Sequence, residues 1–300
     1  MVSMFRPNTE RMRHDSSNLD QQSNAEILAT LHKGQVEAAM SVEAAIEGLA
    51  KGAEAMARSV RNGRQLVYAA AGSSGLQGMA DGLEITPTFG VPISQIRILR
   101  AGGLEDLSRP KGMAEDNIDA ARKDAAIIQS GDCVICLAAS GNTSYTATVL
   151  EEAHKRGATT IGMANNPNTA LLTGSDIPIL LSTPPEVIAG STRLGAGTAQ
   201  KIALNMMSSL MGVLLGHVLD GLMVNVIANN EKLFKRAEDI VMHVTNCDRP
   251  TAAESLEQTD GSVKGAVLIT SGAKDFSAAR QLLEKSNQNL RTAVNTLRTT

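Results

Sequence analysis

The chain has 300 residues, 43% of them hydrophobic and 20% charged, with a formal net charge of -3, so it can bury a substantial core and carries no bulk attraction for nucleic acid. Aromatic residues are only 2% and Trp is absent, which leaves few stacking platforms and calls for a core of aliphatic side chains and closely packed helices. No apolar run reaches the roughly 18 residues of a membrane span; the N-terminal MVSMFRPNTERMRHD is too polar for a signal peptide; and Cys133, Cys136 and Cys247 make no disulfide framework, so a cytoplasmic protein is expected.

Residues 1–17 read as an extended polar arm, followed by helices over Asn18 to Leu31 and Gln35 to Val60, with Gly34 as the break between them. The stretch Gln65 to Gly78, QLVYAAAGSSGLQG, is a buried strand running into a small-residue turn and then a helix. That order gathers backbone N–H groups, the hydroxyls of Ser73 and Ser74 and a helix N-terminus at one point, a place for a phosphate or another anion. Leu76 to Leu83 completes a short helix, and Pro87 and Gly90 make Glu84 to Gly90 a loop. A second strand is expected over Gln95 to Leu99 and a helix over Ala114 to Ile128.

The corner pattern returns in Cys133 to Tyr145, CVICLAASGNTSY, where Ser140, Asn142 and Thr143 follow an apolar strand. Within that strand Cys133 and Cys136 spell CxxC, but a period of two sends residues three apart to opposite faces, so both are read as core. Thr146 to Arg156 is the next helix, Thr159 to Met163 the next strand, and Asp176 to Leu181 a terminal strand that Pro178 favours at an edge. Ser191 to Leu219 reads as a long apolar helix, buried between layers or against another subunit. Asn229 to Lys232 opens a further helix, and from about Asn246 short amphipathic segments form a helical appendage. Repeated strand, helix, strand order gives an α/β fold: a three-layer parallel sheet flanked by helices, with its ligand site beyond the carboxyl ends of the strands.

For chemistry, Ser73, Ser74, Ser140, Asn142 and Thr143 are the candidate ligand contacts, with local turn capping as their alternative use. Glu84 and Glu115 lie near the two corners and could divide proton abstraction from leaving-group protonation. The five histidines have no metal-ligand spacing, and neither a GxxxxGK[ST] loop nor a dinucleotide fingerprint is present, so a histidine metal site, ATP and NAD are not expected.

Taken together, AAGSSG at 70–75, LEITPTFG at 83–90, AED at 114–116, AASGNTSY at 138–145, NNP at 165–167, GSTRLGAGTAQKIALNM at 190–206 and LMVNVIANNEKL at 222–233 resemble the sugar isomerase (SIS) proteins, and more closely the bacterial N-acetylmuramic acid 6-phosphate etherases. The resemblance implies a phosphosugar-binding domain over 61–245, N-terminal helices over 1–60 and a small helical region over 246–300. It also implies a homodimer and cofactor-free cleavage of a lactyl ether, with Glu115 as base and Glu84 as acid. The family's first loop usually continues SGR where this chain has Leu76, its second usually reads SGRTP where this chain has Asn142, and basic positions are replaced by Gly195 and Phe234. A phosphosugar isomerase and a non-catalytic phosphosugar sensor are the alternative readings.

Overall fold

A computed structural model of the chain describes residues 7–103, 112–226 and 231–299. Short 3-10 turns at Asn8–Glu10, His14–Ser16 and Leu19–Gln21 lead into α1 (Asn24–Met40). Ser23 and Glu26 cap α1 reciprocally: Glu26 accepts from the Ser23 N–H at 2.9 Å and the Ser23 hydroxyl accepts from the Glu26 N–H. Gly34 does not break this helix. A Cβ there would sit 2.6 Å from Val187 Cγ2, so the glycine serves close packing. A 3-10 segment, Ser41–Ala45, separates α1 from α2 (Ile46–Arg61).

The sheet follows: β1 (Leu66–Ala70), α3 (Gly72–Phe89), β2 (Ile96–Arg100), α4 (Ile118–Ala125), β3 (Cys133–Ala138), α5 (Ser144–Lys155), β4 (Thr159–Ala164), α6 (Ala170–Gly174) and β5 (Ile177–Leu180). Strand order is β2-β1-β3-β4-β5 and every pair is parallel, with Ala70 opposite Leu137 and Arg100 opposite Ala70. Reversal of strand order between β1 and β3 makes their carboxyl ends the switch point of an open α/β sheet, where ligands bind. Pro178 is on the edge strand, as expected. Val134, Cys136 and Ala138 join Tyr145, Val149 and Leu171 in one core cluster, whereas Cys133 does not belong to it. Burial pushes the Cys133 thiol up to about 12 and raises Cys136 as well, so both behave as core residues.

The helix expected over Ser191 to Leu219 covers only Gly195–Leu214, with Val218–Leu219 a short strand, and two boundaries among the sheet elements also move. Glu84 to Gly90 is helical up to Phe89, with Pro87 inside the last turn of α3. The N–H that proline lacks would have met the Leu83 carbonyl, and Leu83 is half-exposed, so water can serve that acceptor. Residues 114–128 form a 3-10 turn, Ala114–Asp116, and then α4, started by the Asn117 side chain accepting from the Ala120 N–H at 2.9 Å.

Beyond the sheet come α7 (Gly195–Leu214), the hairpin β6 (Val218–Leu219) and β7 (Leu222–Met223), α8 (Glu231–Thr245), α9 (Arg249–Glu257), α10 (Val263–Thr270), α11 (Phe276–Lys285) and α12 (Leu290–Thr299). The start expected for α8 at Asn229 and Asn230 lies outside the described residues. The chain forms two compact units, Met1–Leu83 with Ser94–Ser208, and Glu84–Ile93 with Ser209–Thr300. The second unit has its own core, built from residues such as Val241, Leu256, Val267 and Leu283. Its helices begin on Asp248, Ser262 and Asp275, each accepting a backbone N–H of the first turn. Among the described residues no helix is long and apolar enough to cross a membrane.

One buried group fixes the helix that carries the first corner. Asp81 on α3 accepts from the Tyr68 hydroxyl at 2.8 Å, from Asn205 Nδ2 at 2.8 Å and from the Ser208 hydroxyl at 2.9 Å. Burial, and then Asp81 itself, holds the Tyr68 phenol well above its ordinary value, so it stays a donor. Asp81→Ala strands three donors and should cost about 2–4 kcal/mol. Urea denaturation measures this, and an unchanged midpoint would show that the network does not hold α3.

Candidate active site

Both corners leave neighbouring strand ends, because Ala70 of β1 is paired with Leu137 of β3. In the first, Gly72 takes a left-handed φ of 52° and opens α3. Gly75 donates its N–H to the Ala71 carbonyl at 2.9 Å, so that amide is used within α3 and a ligand is left the earlier amides of the turn, Ser73 and Ser74 among them. Ser73 is half-buried and Ser74 is buried.

The second corner is more occupied. Ser140 Oγ accepts from the Asn142 N–H and meets Thr143 Oγ1, both at 3.3 Å, while Asn142 Oδ1 accepts from the Ala170 N–H at 2.9 Å. Local capping therefore uses the Ser140 and Asn142 side chains in this state. Thr143 is the N-cap of α5 but makes no side-chain capping bond, so the first amides of this twelve-residue helix keep their donor capacity toward the corner.

Glu115 stands over the first corner. A Cβ on Gly72 would lie 3.1 Å from Glu115 Oε1, which places the carboxylate at the opening of α3. A cavity of about 490 Å³ surrounds it, lined among others by Ser73, Leu76, Arg100, Glu115, Asp116 and Arg193. Ser73 and Glu115 are thus brought together, with two arginines beside them. Ser74, Ser140, Asn142, Thr143 and Glu84 do not line this cavity. Glu84 is exposed and is the thirteenth residue of α3, of which Gly72 is the first, so more than three helical turns separate the two.

The sequence reading missed the groups that support the corners. Asn166 Nδ2 donates to the Ala139 carbonyl at 3.1 Å and to Thr9 Oγ1 at 3.0 Å, while its Oδ1 accepts the Thr9 N–H at 3.3 Å. Asn165 donates to the Leu181 carbonyl and accepts from Gln200 Nε2 at 3.0 Å. The NNP segment is therefore the clasp of the second corner. Glu186, also missed, is buried and accepts the Gly195 and Ala196 N–H groups, each at 2.8 Å, capping α7. Burial raises its carboxyl above the usual range and the two amides pull it partly back. In the sequence Asn165 and Asn166 are marked only by the NNP motif, which does not state their partners, and Glu186 has no signature beyond a polar residue in a loop.

The SIS domain family matches residues 112–210, which carry the second of the two hydroxyl-bearing corners at the switch point of the parallel sheet, so the protein is of SIS type in fold and site. In fold it is similar to a phosphoheptose isomerase from Francisella tularensis, with a TM-score of 0.50 and 16% identity over 64% of this chain and 100% of that one. Across most of its length the chain belongs to the N-acetylmuramic acid 6-phosphate etherase family. It is 41% identical to the protein of that name from Symbiobacterium thermophilum over 87% of each chain, and 38% identical to that from Actinobacillus pleuropneumoniae over 95% of each.

Proposed function

We propose that this protein is a carbon–oxygen lyase that cleaves the lactyl ether of N-acetylmuramic acid 6-phosphate, giving N-acetylglucosamine 6-phosphate and D-lactate. The observation that carries the reading is the Glu115 carboxylate at the opening of α3, in a cavity with Ser73 and two guanidinium groups. Amides at the starts of α3 and α5 bind the substrate, those of α5 holding its phosphate. With the sugar ring open, Glu115 takes the proton from the carbon beside the carbonyl. The electron pair left behind expels the C3 oxygen, Glu84 protonates that oxygen as it departs with lactate, and water adds to the resulting double bond at C3.

Glu84 reaches the reacting centre, in this reading, from a second copy of the chain. Leu28, Val36 and Met40 on α1 and Ile46 at the start of α2 are exposed apolar side chains, and burying them between two copies would remove an unfavourable surface. On α7, Ala196, Ala199, Ala203, Met207 and Met211 are buried within the chain itself, while Met206, Val213 and Leu214 are exposed apolar side chains that a second copy could also cover. A cytoplasmic location belongs to the same reading, with Cys133, Cys136 and Cys247 free.

The test is incubation with N-acetylmuramic acid 6-phosphate in deuterated water. Lactate release with solvent hydrogen at C2 is the expected result. Hydrogen at C2 with the ether intact would replace the lyase by an isomerase, and phosphate-dependent binding with neither change would replace it by a sensor. Calorimetry should also show the sugar 6-phosphate binding far more tightly than its unphosphorylated form, and equal binding would remove the phosphate assignment.

A further inference from the structure

Arg100 is not used by the mechanism above, yet it lines the same cavity as Glu115. It is the last residue of β2, opposite Ala70, and its side chain lies across the first turn of α3. A Cβ on Gly75 would come within 3.1 Å of Arg100 Cγ and 3.4 Å of its Nε. Nη1 donates to the carbonyls of Ala101 at 3.3 Å and Gly103 at 3.2 Å, which fixes the guanidinium against the cavity wall. The next position along α3, Leu76, is half-exposed in that cavity and offers no donor.

We propose that Arg100 is a specificity-determining residue that holds the carboxylate of the C3 substituent. The inference rests on the sugar phosphate reading just given. Glu115 is against Gly72 and Arg100 against Gly75, positions three apart on a helix and therefore about 5–6 Å between side-chain origins. A lactyl carboxylate is separated from C2 by only C3, the ether oxygen and one carbon, so it falls within that reach when C2 faces Glu115. The phosphate, at the far end of the opened sugar, is served by the amides at the start of α5 rather than those of α3, beside which Glu115 stands. Without a cation in place, the substrate carboxylate would stand one helical turn from the Glu115 carboxylate and be repelled by it. A planar guanidinium matches the two oxygens and neutralises that repulsion.

The experiment compares wild type, Arg100→Ala and Arg100→Lys by calorimetry against two ligands. One is an uncleavable substrate analogue with CH2 in place of the ether oxygen, and the other is N-acetylglucosamine 6-phosphate. Arg100→Ala should lose about 10- to 100-fold in affinity for the analogue, as for removal of a charge-assisted hydrogen bond, with Arg100→Lys losing less. Affinity for N-acetylglucosamine 6-phosphate should change by less than about twofold in both variants, which also reports an intact fold. Equal losses for the two ligands would assign Arg100 to the phosphate and overturn the proposal, as would undiminished binding of the analogue. If wild type bound neither ligand, the sugar phosphate reading itself would fall, and that outcome is read before any variant.

Discussion

Glu115→Gln should lower kcat by roughly a hundredfold to ten-thousandfold, the contribution expected of a positioned proton-transfer group. Glutamine keeps the size of the side chain, so KM should stay near its wild-type value. Glu115 is exposed on a 3-10 turn whose own bonds are backbone ones, and stability should move by less than about 0.5 kcal/mol. A large loss of rate without loss of fold separates a base from a scaffold residue. Solvent hydrogen incorporation at C2 should fall in parallel with lactate release, since both follow the same proton abstraction. Lactate released at the wild-type rate by this variant would overturn the role of Glu115 even with the family unchanged.

The second large effect is a recovery. Glu84→Gln and Glu115→Gln should each be nearly inactive as purified proteins, yet a mixed dimer of the two, co-expressed with different tags and isolated, should regain about half of wild-type activity. The reason is positional. Glu115 is packed against Gly72 at the first residue of α3 and Glu84 is the thirteenth, so a site using both draws Glu84 from the other copy. In the mixed dimer one site then carries both substitutions and the other carries neither. A mixed dimer as inactive as its parents would show that each chain supplies both of its own carboxylates, and a protein monomeric by light scattering at micromolar concentration would remove the shared site altogether.

Much of this was legible in the chain because it is local. Gln65 to Gly75 and Cys133 to Thr143 each pass from an apolar run to small hydroxyl residues and into a helix, and short-range pattern is enough to specify strand, turn and helix start. The CxxC was readable as core for the same reason: strand alternation places Cys133 and Cys136 on opposite faces, and burial raises both thiols. Proline and glycine misled where the tertiary setting outweighed their local preference. Pro87 lies in the last turn of α3, where one missing hydrogen bond is tolerated, and Gly34 is in mid-helix because Val187 leaves no room for a side chain.

What only the tertiary structure decided is which distant residues share the cavity. The IRILR pattern predicts a strand ending at about Arg100, but that its guanidinium crosses Gly75 follows from β2 pairing with β1 rather than with β3, and strand order is not written in any window of sequence. Asn165, Asn166, Gln200 and Glu186 are polar residues whose partners are up to 157 positions away, and their placement depends on the completed sheet. The sequence by itself determined the two corners and the carboxylate candidates, since backbone propensity and turn chemistry act over a few residues. The assembly of Glu115, Ser73, Arg100 and Arg193 around one cavity was decided by packing, because burial and parallel pairing act between segments with no fixed spacing along the chain.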